Sequence, residues 1–328
     1  MFKRYFAFRF ISLLALCSTI LPACTYDYFD DESNYVVYVP KADAEKVIDS
    51  YSIEDLAIYI YSEDLQRERY SFSPFEEDAR AVIGNYHFKL FPGFHSVYSF
   101  TGLSNLTFTD LNTQSTARFD LQKNTDGYYL EPSAIFLEYA TPTILFPGPV
   151  VTDTAHFERP FTGRICIAFK NMSSLHSSLT ANDISKVEIE ATGIGTTQYF
   201  SQITDSVSTR SSRFSSEDKM LLSSVVYENP YEDFEFGLEN HYLPSPALGT
   251  KEYISLQLRF INNQNMEVYS MFVDLADETR NPIILHTNET IVIKIDGDKI
   301  HIISLDNPAD WESIMGGGSS GPGSGVEV

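Results

Sequence analysis

From residue 34 onward nearly every apolar run in the chain alternates with a period of two. That period places successive side chains on opposite faces of a strand; a helix repeats every 3.6 residues. In "YISLQLRF" Ile254, Leu256, Leu258 and Phe260 share one face, while Ser255, Gln257 and Arg259 share the other. "LAIYIYS", "RICIAF", "KVEIEA" and "TIVIKI" repeat the pattern and read as half-buried strands. Turn chemistry sits between such runs. Asp126-Gly127 divides "FDLQKNT" from "YYLEP", Asp296-Gly297 divides "TIVIKI" from "DKIHIIS", and Asn262 to Asn265 divides "YISLQLRFI" from "MEVYSMFV". Short helices are expected only as additions, around "KADAEKVIDSY" and "SSEDKMLLSS". The fold class that follows is all-β and mostly antiparallel.

A break falls in "TPTILFPGPV", where three prolines and a glycine separate strand-like segments and no central ladder can continue. A boundary near Val150 gives two β-sandwich domains, residues 35–150 and 151–315. The serine-rich stretch 204–218 reads as a mobile loop, and residues 316–328, "GGGSSGPGSGVEV", as a flexible Gly/Ser tail.

The beginning of the chain has a different character. Lys3, Arg4 and Arg9 precede the apolar run "FISLLAL", the order of a secretory signal, and the run is short for a bilayer span. Cys24 has Ala23 just before it and Leu21 three before, the small and branched residues that a lipoprotein signal peptidase needs. Cys17 lies inside the apolar run and would leave with the signal, residues 1–23. Ordinary cleavage near Ala23 is the alternative. With lipoprotein processing, Cys24 becomes the lipid attachment site, carrying a diacylglycerol thioether and an amide-linked acyl chain. Two or more chains hold a protein stably, where one holds it only marginally. Residues 24–34 then form an acidic tether with Asp27, Asp30, Asp31 and Glu32. Such a run is similar to the surface-export signal of some lipoproteins of Gram-negative anaerobes, and it also suits a plain solvated linker.

Charge narrows the partners. Loss of the signal removes three basic residues and no acidic one, so the formal charge moves from −22 to −25. Nucleic acid and anionic lipid surfaces would repel such a chain, because binding phosphate backbones needs clustered Lys and Arg. With Cys24 lipidated, Cys166 has no thiol left to pair with, and the domains must hold by burial.

The sequence offers little to a catalytic reading. A G-x-S-x-G match at Gly317, Ser319 and Gly321 lies in the tail, where the strained strand-to-helix turn that motif requires cannot form. The seven histidines make no H-E-x-x-H, and His301 alternates outward on its strand. Asp274 with Asp277, and Asp296 with Asp298, sit at a strand end and a hairpin, where carboxylates serve the backbone. Cys166 reads as a small strand residue and Trp311 as a lid on the second core. No catalytic, cofactor or metal residue is assigned.

The order of parts, a lipid cysteine, an acidic tether, "YVVYV", "IEDLAIYIYS" and "YHFKLFPGFHSVYSFTGL", resembles the FimB-type fimbrial anchor and assembly lipoproteins of type V pili. Leu90, Pro92, Gly93 and Phe94 match a Leu-x-Pro-Gly-aromatic pattern of that family. "ERPFTGRICIAFKN" looks like the opening strand of its second domain, and "KIHIISLDNPADW" like its close. The resemblance implies two tandem transthyretin-like antiparallel β-sandwich domains, no enzymatic activity, attachment to the outer membrane at the cell surface through Cys24, and contact with fimbrial subunit proteins through β-strands. Two alternatives stay open: a polymerising stalk or tip subunit of the same pili, and a surface glycan-binding lipoprotein. Polymerising subunits lose their first strand to an arginine-specific protease, and this chain has no Arg from Cys24 through Gln66.

Overall fold

The structure, a computed structural model, describes residues 33–40, 55–72, 84–171, 174, 176, 184–203, 213–214, 219–226, 236–245, 253–277, 279–305 and 325–327. The signal, Cys24, the possible helix at 41–51 and Trp311 lie outside the described residues, as does most of the serine-rich stretch.

The architecture is all-β. The first strands are β1 (Tyr35–Val39), β2 (Leu56–Ser62), β3 (Leu65–Phe72), β4 (Gly84–Phe88), β5 (Gly93–Phe94) and β6 (Ser96–Thr101). Next come β7 (Leu106–Thr109), β8 (Arg118–Leu121), β9 (Phe136–Ala140), β10 (Thr143–Ile144) and β11 (Val151–Thr154). Further along are β12 (Gly163–Lys170), β13 (Ile184–Thr192), β14 (Gly195–Tyr199), β15 (Arg213–Phe214), β16 (Lys219–Val226) and β17 (Phe236–Tyr242). The last are β18 (Ser255–Asn262), β19 (Glu267–Asp274), β20 (Thr290–Asp296), β21 (Lys299–Leu305) and β22 (Gly325–Glu327). Their sheets run β11-β1-β4, β3-β2-β6-β9, β15-β14-β8-β7, β16-β13-β18-β19 and β17-β12-β20-β21-β22, with a small ribbon β10-β5. Parallel pairing occurs between β1 and β11 and between β12 and β20.

Two of the expected hairpins form, β18–β19 and β20–β21, while the turn at Asp126-Gly127 closes only on the isolated bridge Lys123–Tyr129, and "YYLEP" is not a strand. Gly127 (φ 87°), Gly297 (φ 60°) and Asn265 (φ 59°) supply the positive φ that those turns need. In β18 the expected face is buried: Leu256, Leu258 and Phe260 pack with Val187 and Ile189 of β13 against Ile165 and Ile167 of β12 and Ile291 and Ile293 of β20. Each such side chain contributes about 1.5–3 kcal/mol by leaving water. Cys166 lies on the opposite face of β12 as a small buried residue beside Val292.

β2 departs from the half-buried expectation. Leu56, Ile58 and Ile60 pack against Tyr35, Val37 and Val39 of β1, while Ala57, Tyr59 and Tyr61 face a second cluster with Phe100, Phe119 and Phe200. Both faces are covered because the sheet of β2 is the middle of three layers. Tyrosine suits that place, since its ring fills volume while its hydroxyl finds a partner; the Tyr61 hydroxyl donates to Leu111 O at 3.0 Å.

Elements from beyond Val150 pack with strands from before it. β11 pairs with β1, and β14 pairs with β8. The 3-10 turn Phe200–Gln202 after β14 sends Phe200 among Tyr98, Phe100 and Tyr59, with ring centroids 4.9, 5.1 and 5.4 Å away. "SSEDKMLLSS", expected as a short helix, enters strand β16 at Lys219 and pairs with β13. Sheet pairing here overrides a modest helix propensity. Within the tail expected to be flexible, Gly325–Glu327 pair with Ile303 to His301 of β21.

Candidate functional site

Two regions carry the geometry that strand-mediated assembly depends on, the first strand and an outer strand edge in the second half of the chain.

β1 is the centre strand of its sheet. On one side Tyr35 to Val39 pair antiparallel with Phe88 to Gly84, and on the other Tyr35 to Tyr38 pair parallel with Val151 to Thr154. Tyr35, Val37 and Val39 are buried. Side chains fasten its beginning. Asn34 Nδ2 donates to Leu90 O at 2.7 Å, and Asn34 Oδ1 accepts from Leu90 N at 2.8 Å, closing a two-point clamp. The Tyr35 hydroxyl donates to Asp153 Oδ2 at 2.9 Å. Burial, with the Asp153 carboxylate beside it, pushes the Tyr35 phenol far above its usual range, so it stays a donor. Nearby on β9, burial raises Glu138 to about 7, with His156 opposing the rise and Glu158 and Asp153 adding to it.

β19 is the opposite case. Among the described residues it ends its sheet, its side chains are mostly half-exposed, and Phe272 is 66% exposed. Between it and β21 runs a groove of about 260 Å³, lined by Phe272, Val273, Ile300 and Ile302, with Asp274, Asp277 and Arg280 also contributing. An outer strand beside alternating apolar positions is the geometry by which an added strand binds: main chain gives affinity and side-chain pockets give selectivity.

Of the acidic pairs, Asp277 serves the backbone, while Asp274 and Asp296 accept from side chains. Asp277 Oδ1 accepts from Thr279 N at 2.8 Å and Asn281 N at 2.8 Å, and its Oδ2 accepts from Asn281 Nδ2 at 3.0 Å. The bonds from Asn281 and Thr279 hold Asp277 down to about 2. Asp274 accepts from Ser255 across the β18–β19 ladder, and Asp296 accepts from Asn171. His301 is half-buried on β21 and faces Lys294 across the ladder. Among the described residues no three His, Cys, Asp or Glu side chains converge as a metal site would require. No helix among them is long and apolar enough to cross a membrane. The sequence singled out Cys24, which the described residues do not include. It missed the double pairing of β1, the Asn34 clamp and the groove, whose only sequence signal is the alternation common to all the strands.

No protein-family model and no curated protein matches the chain. Solved structures do. A candidate adhesin from Bacteroides ovatus aligns with a TM-score of 0.52 at 12% identity, over 78% of this chain and 88% of that one. The fimbrial anchor protein Mfa2 from Porphyromonas gingivalis aligns at 0.44 and 11% identity, over 79% and 89% of the two chains. A fimbrial assembly protein from Parabacteroides distasonis aligns at 0.43 and 10%, over 82% and 94%. At 12% identity the likeness to the Bacteroides ovatus protein is one of fold.

Proposed function

We propose that the mature chain is an outer-membrane lipoprotein at the cell surface that anchors fimbriae and helps to assemble them. Acyl chains on Cys24 hold the membrane, and a fimbrial subunit docks through strand contacts at β19 and its groove. In this reading the chain is two transthyretin-like sandwiches in series with no enzymatic role. The shared all-β fold of the Bacteroides ovatus candidate adhesin supports a surface function.

The observation that carries the proposal is the state of β1. A polymerising subunit must surrender its first strand, yet β1 is paired on both sides and buried, and no Arg stands from Cys24 through Gln66 for the cut that would release it. Removing it would empty the centre of a core. An anchor needs the reverse, a permanent first strand leading back to the lipid.

Cys24→Ala tests the proposal. The variant is expected to leave the detergent phase and, once the base is no longer held, to let fimbriae shed into the medium. Retention in the detergent phase after signal removal would refute lipid attachment; departure with fimbriae still firmly cell-bound would refute anchoring. Mass spectrometry of the native protein provides a second check, and a main species beginning at or beyond Arg67 would favour the polymerising subunit.

A further inference from the structure

Five of the nine exposed large apolar residues among those described stand together: Phe91 (61% exposed), Phe94 (79%), Leu145 (64%), Phe146 (48%) and Val150 (54%). The β5–β10 ribbon joins the two segments that carry them, with Phe94 opposite Thr143 and Gly93 opposite Ile144. His95 ties the same segments. Its backbone N donates to Pro142 O at 3.0 Å, and its ring Nε2 donates to Phe91 O at 2.8 Å. The second loop turns tightly on Gly148, where a Cβ would meet Leu145 O at 2.7 Å. Beneath lie Leu90 and Ile144, both buried. The rings are therefore held outward on a built platform. A contiguous apolar patch of this kind marks a contact surface.

Charge sets the pole apart. From Gly84 through Thr109, and again from Tyr139 through Thr152, the sequence has no Asp or Glu, although 45 of its 328 residues are acidic. Its position is equally specific. Asn34 bonds to both carrier segments, through its side chain to Leu90 and through its carbonyl to Val151 N at 3.0 Å. The chain thus enters the fold between Phe91 and Val150. Ten residues run from Cys24 to Ser33, at most about 35 Å when extended.

We propose that this pole is a lipid-contact face, seated on the membrane that holds Cys24, with the Phe91, Phe94, Leu145 and Phe146 side chains in the headgroup boundary. This rests on the lipid-anchor reading and adds an orientation to it. A short tether leaving from the patch brings the patch to the bilayer, and the two segments that carry the rings add no carboxylate to the four of the tether, so the ring-bearing surface itself brings no negative charge to the headgroups. Seating at this pole would fix the direction in which the rest of the protein, and any fimbria on it, points.

The test uses full-length, lipidated protein in vesicles of phosphatidylethanolamine and phosphatidylglycerol with brominated acyl chains. Trp311→Phe removes the only native tryptophan, and Phe94→Trp places a reporter on the pole; Phe272→Trp is the control on β19. The reporter at 94 is expected to lose about half its emission, since an interfacial face sits roughly 5–10 Å into the boundary, within reach of bromine. The reporter at 272 is expected to keep its emission. Protein that floats with the vesicles while both reporters stay bright, or both dim, overturns the lipid-contact face and leaves the anchor intact. Signal-cleaved protein that fails to float overturns the lipid anchor, and the inference with it.

Discussion

β1 and β19 begin from similar sequence, "YVVYV" and "EVYSMFV", and end in opposite situations. β1 lies between two strands with Tyr35, Val37 and Val39 in a core. Among the described residues β19 has a strand on one side only, and it shows Phe272 to solvent. Alternation states that a segment will be a strand; the number of neighbours it finds decides whether it is structure or surface. An unpaired outer edge is a risk of unwanted association unless a partner uses it. Under the proposed anchor function, a first strand that stays in place and an outer edge later in the chain would suit a terminal member of an assembly, which accepts a strand while giving none away.

The comparison breaks most severely if β1 proves dispensable. Val37→Asp puts a carboxylate without a partner into the core between β1 and β2, at a cost on the order of several kcal/mol. Loss of cooperative folding in the first half of the chain is the expected result, read by thermal denaturation. A melting temperature close to that of the parent would show β1 to be peripheral.

That contrast was only partly legible. The faces of β18 were readable because Ile254, Leu256, Leu258 and Phe260 alternate cleanly with polar residues. The second buried face of β2 was not, because Tyr59 and Tyr61 fit an exposed face as well as a middle layer. Cross-strand neighbours were also hidden. Ser255 reads as a plain outward position, yet it faces Asp274 and donates to it at 2.6 Å, so a carboxylate at 255 would meet a like charge. The β19 groove left no fingerprint, since its main-chain donors and acceptors are common to every residue. Cys24 lies outside the described residues, and its assignment rests on linear sequence alone, the form in which a signal peptidase would read it.

A smaller effect is expected at the fastening of β1. Tyr35→Phe keeps the ring and removes the bond to Asp153, leaving a part-buried carboxylate short of a donor, at about 1.5–3 kcal/mol. Denaturant unfolding should show a lower midpoint with an unchanged slope. An unchanged midpoint would mean that the ladder alone holds the strand.

Glu138 offers a pH handle on the same region. Its carboxyl is raised from 4.5 to about 7, so the folded state holds the proton more tightly than the unfolded state. The corresponding stability is fully present below about pH 4.5 and is lost as pH rises through 7. Since the group is partly solvated, about 1 kcal/mol is expected after screening, less than the full shift implies. Glu138→Gln should flatten stability between pH 4.5 and 8 relative to the parent. Parallel curves for variant and parent would refute the assignment.

The smallest change in stability is expected at β19, where the comparison is sharpest. Phe272→Ser removes an exposed ring, and surface substitutions of this kind stay within about 0.5 kcal/mol. If the edge were idle, nothing else would change. If it takes a subunit's strand, the lost ring removes one wall of the groove with Ile300 and Ile302, and capture of purified fimbriae by the variant should fall about tenfold, the 1.4 kcal/mol worth of one apolar contact. Arg280→Ala in the same groove should weaken capture less, because a solvent-facing charge governs mainly the rate of encounter. Equal capture by parent and both variants, with β1 intact in each, would place the docking edge elsewhere and leave β19 as a surface that happens to be apolar.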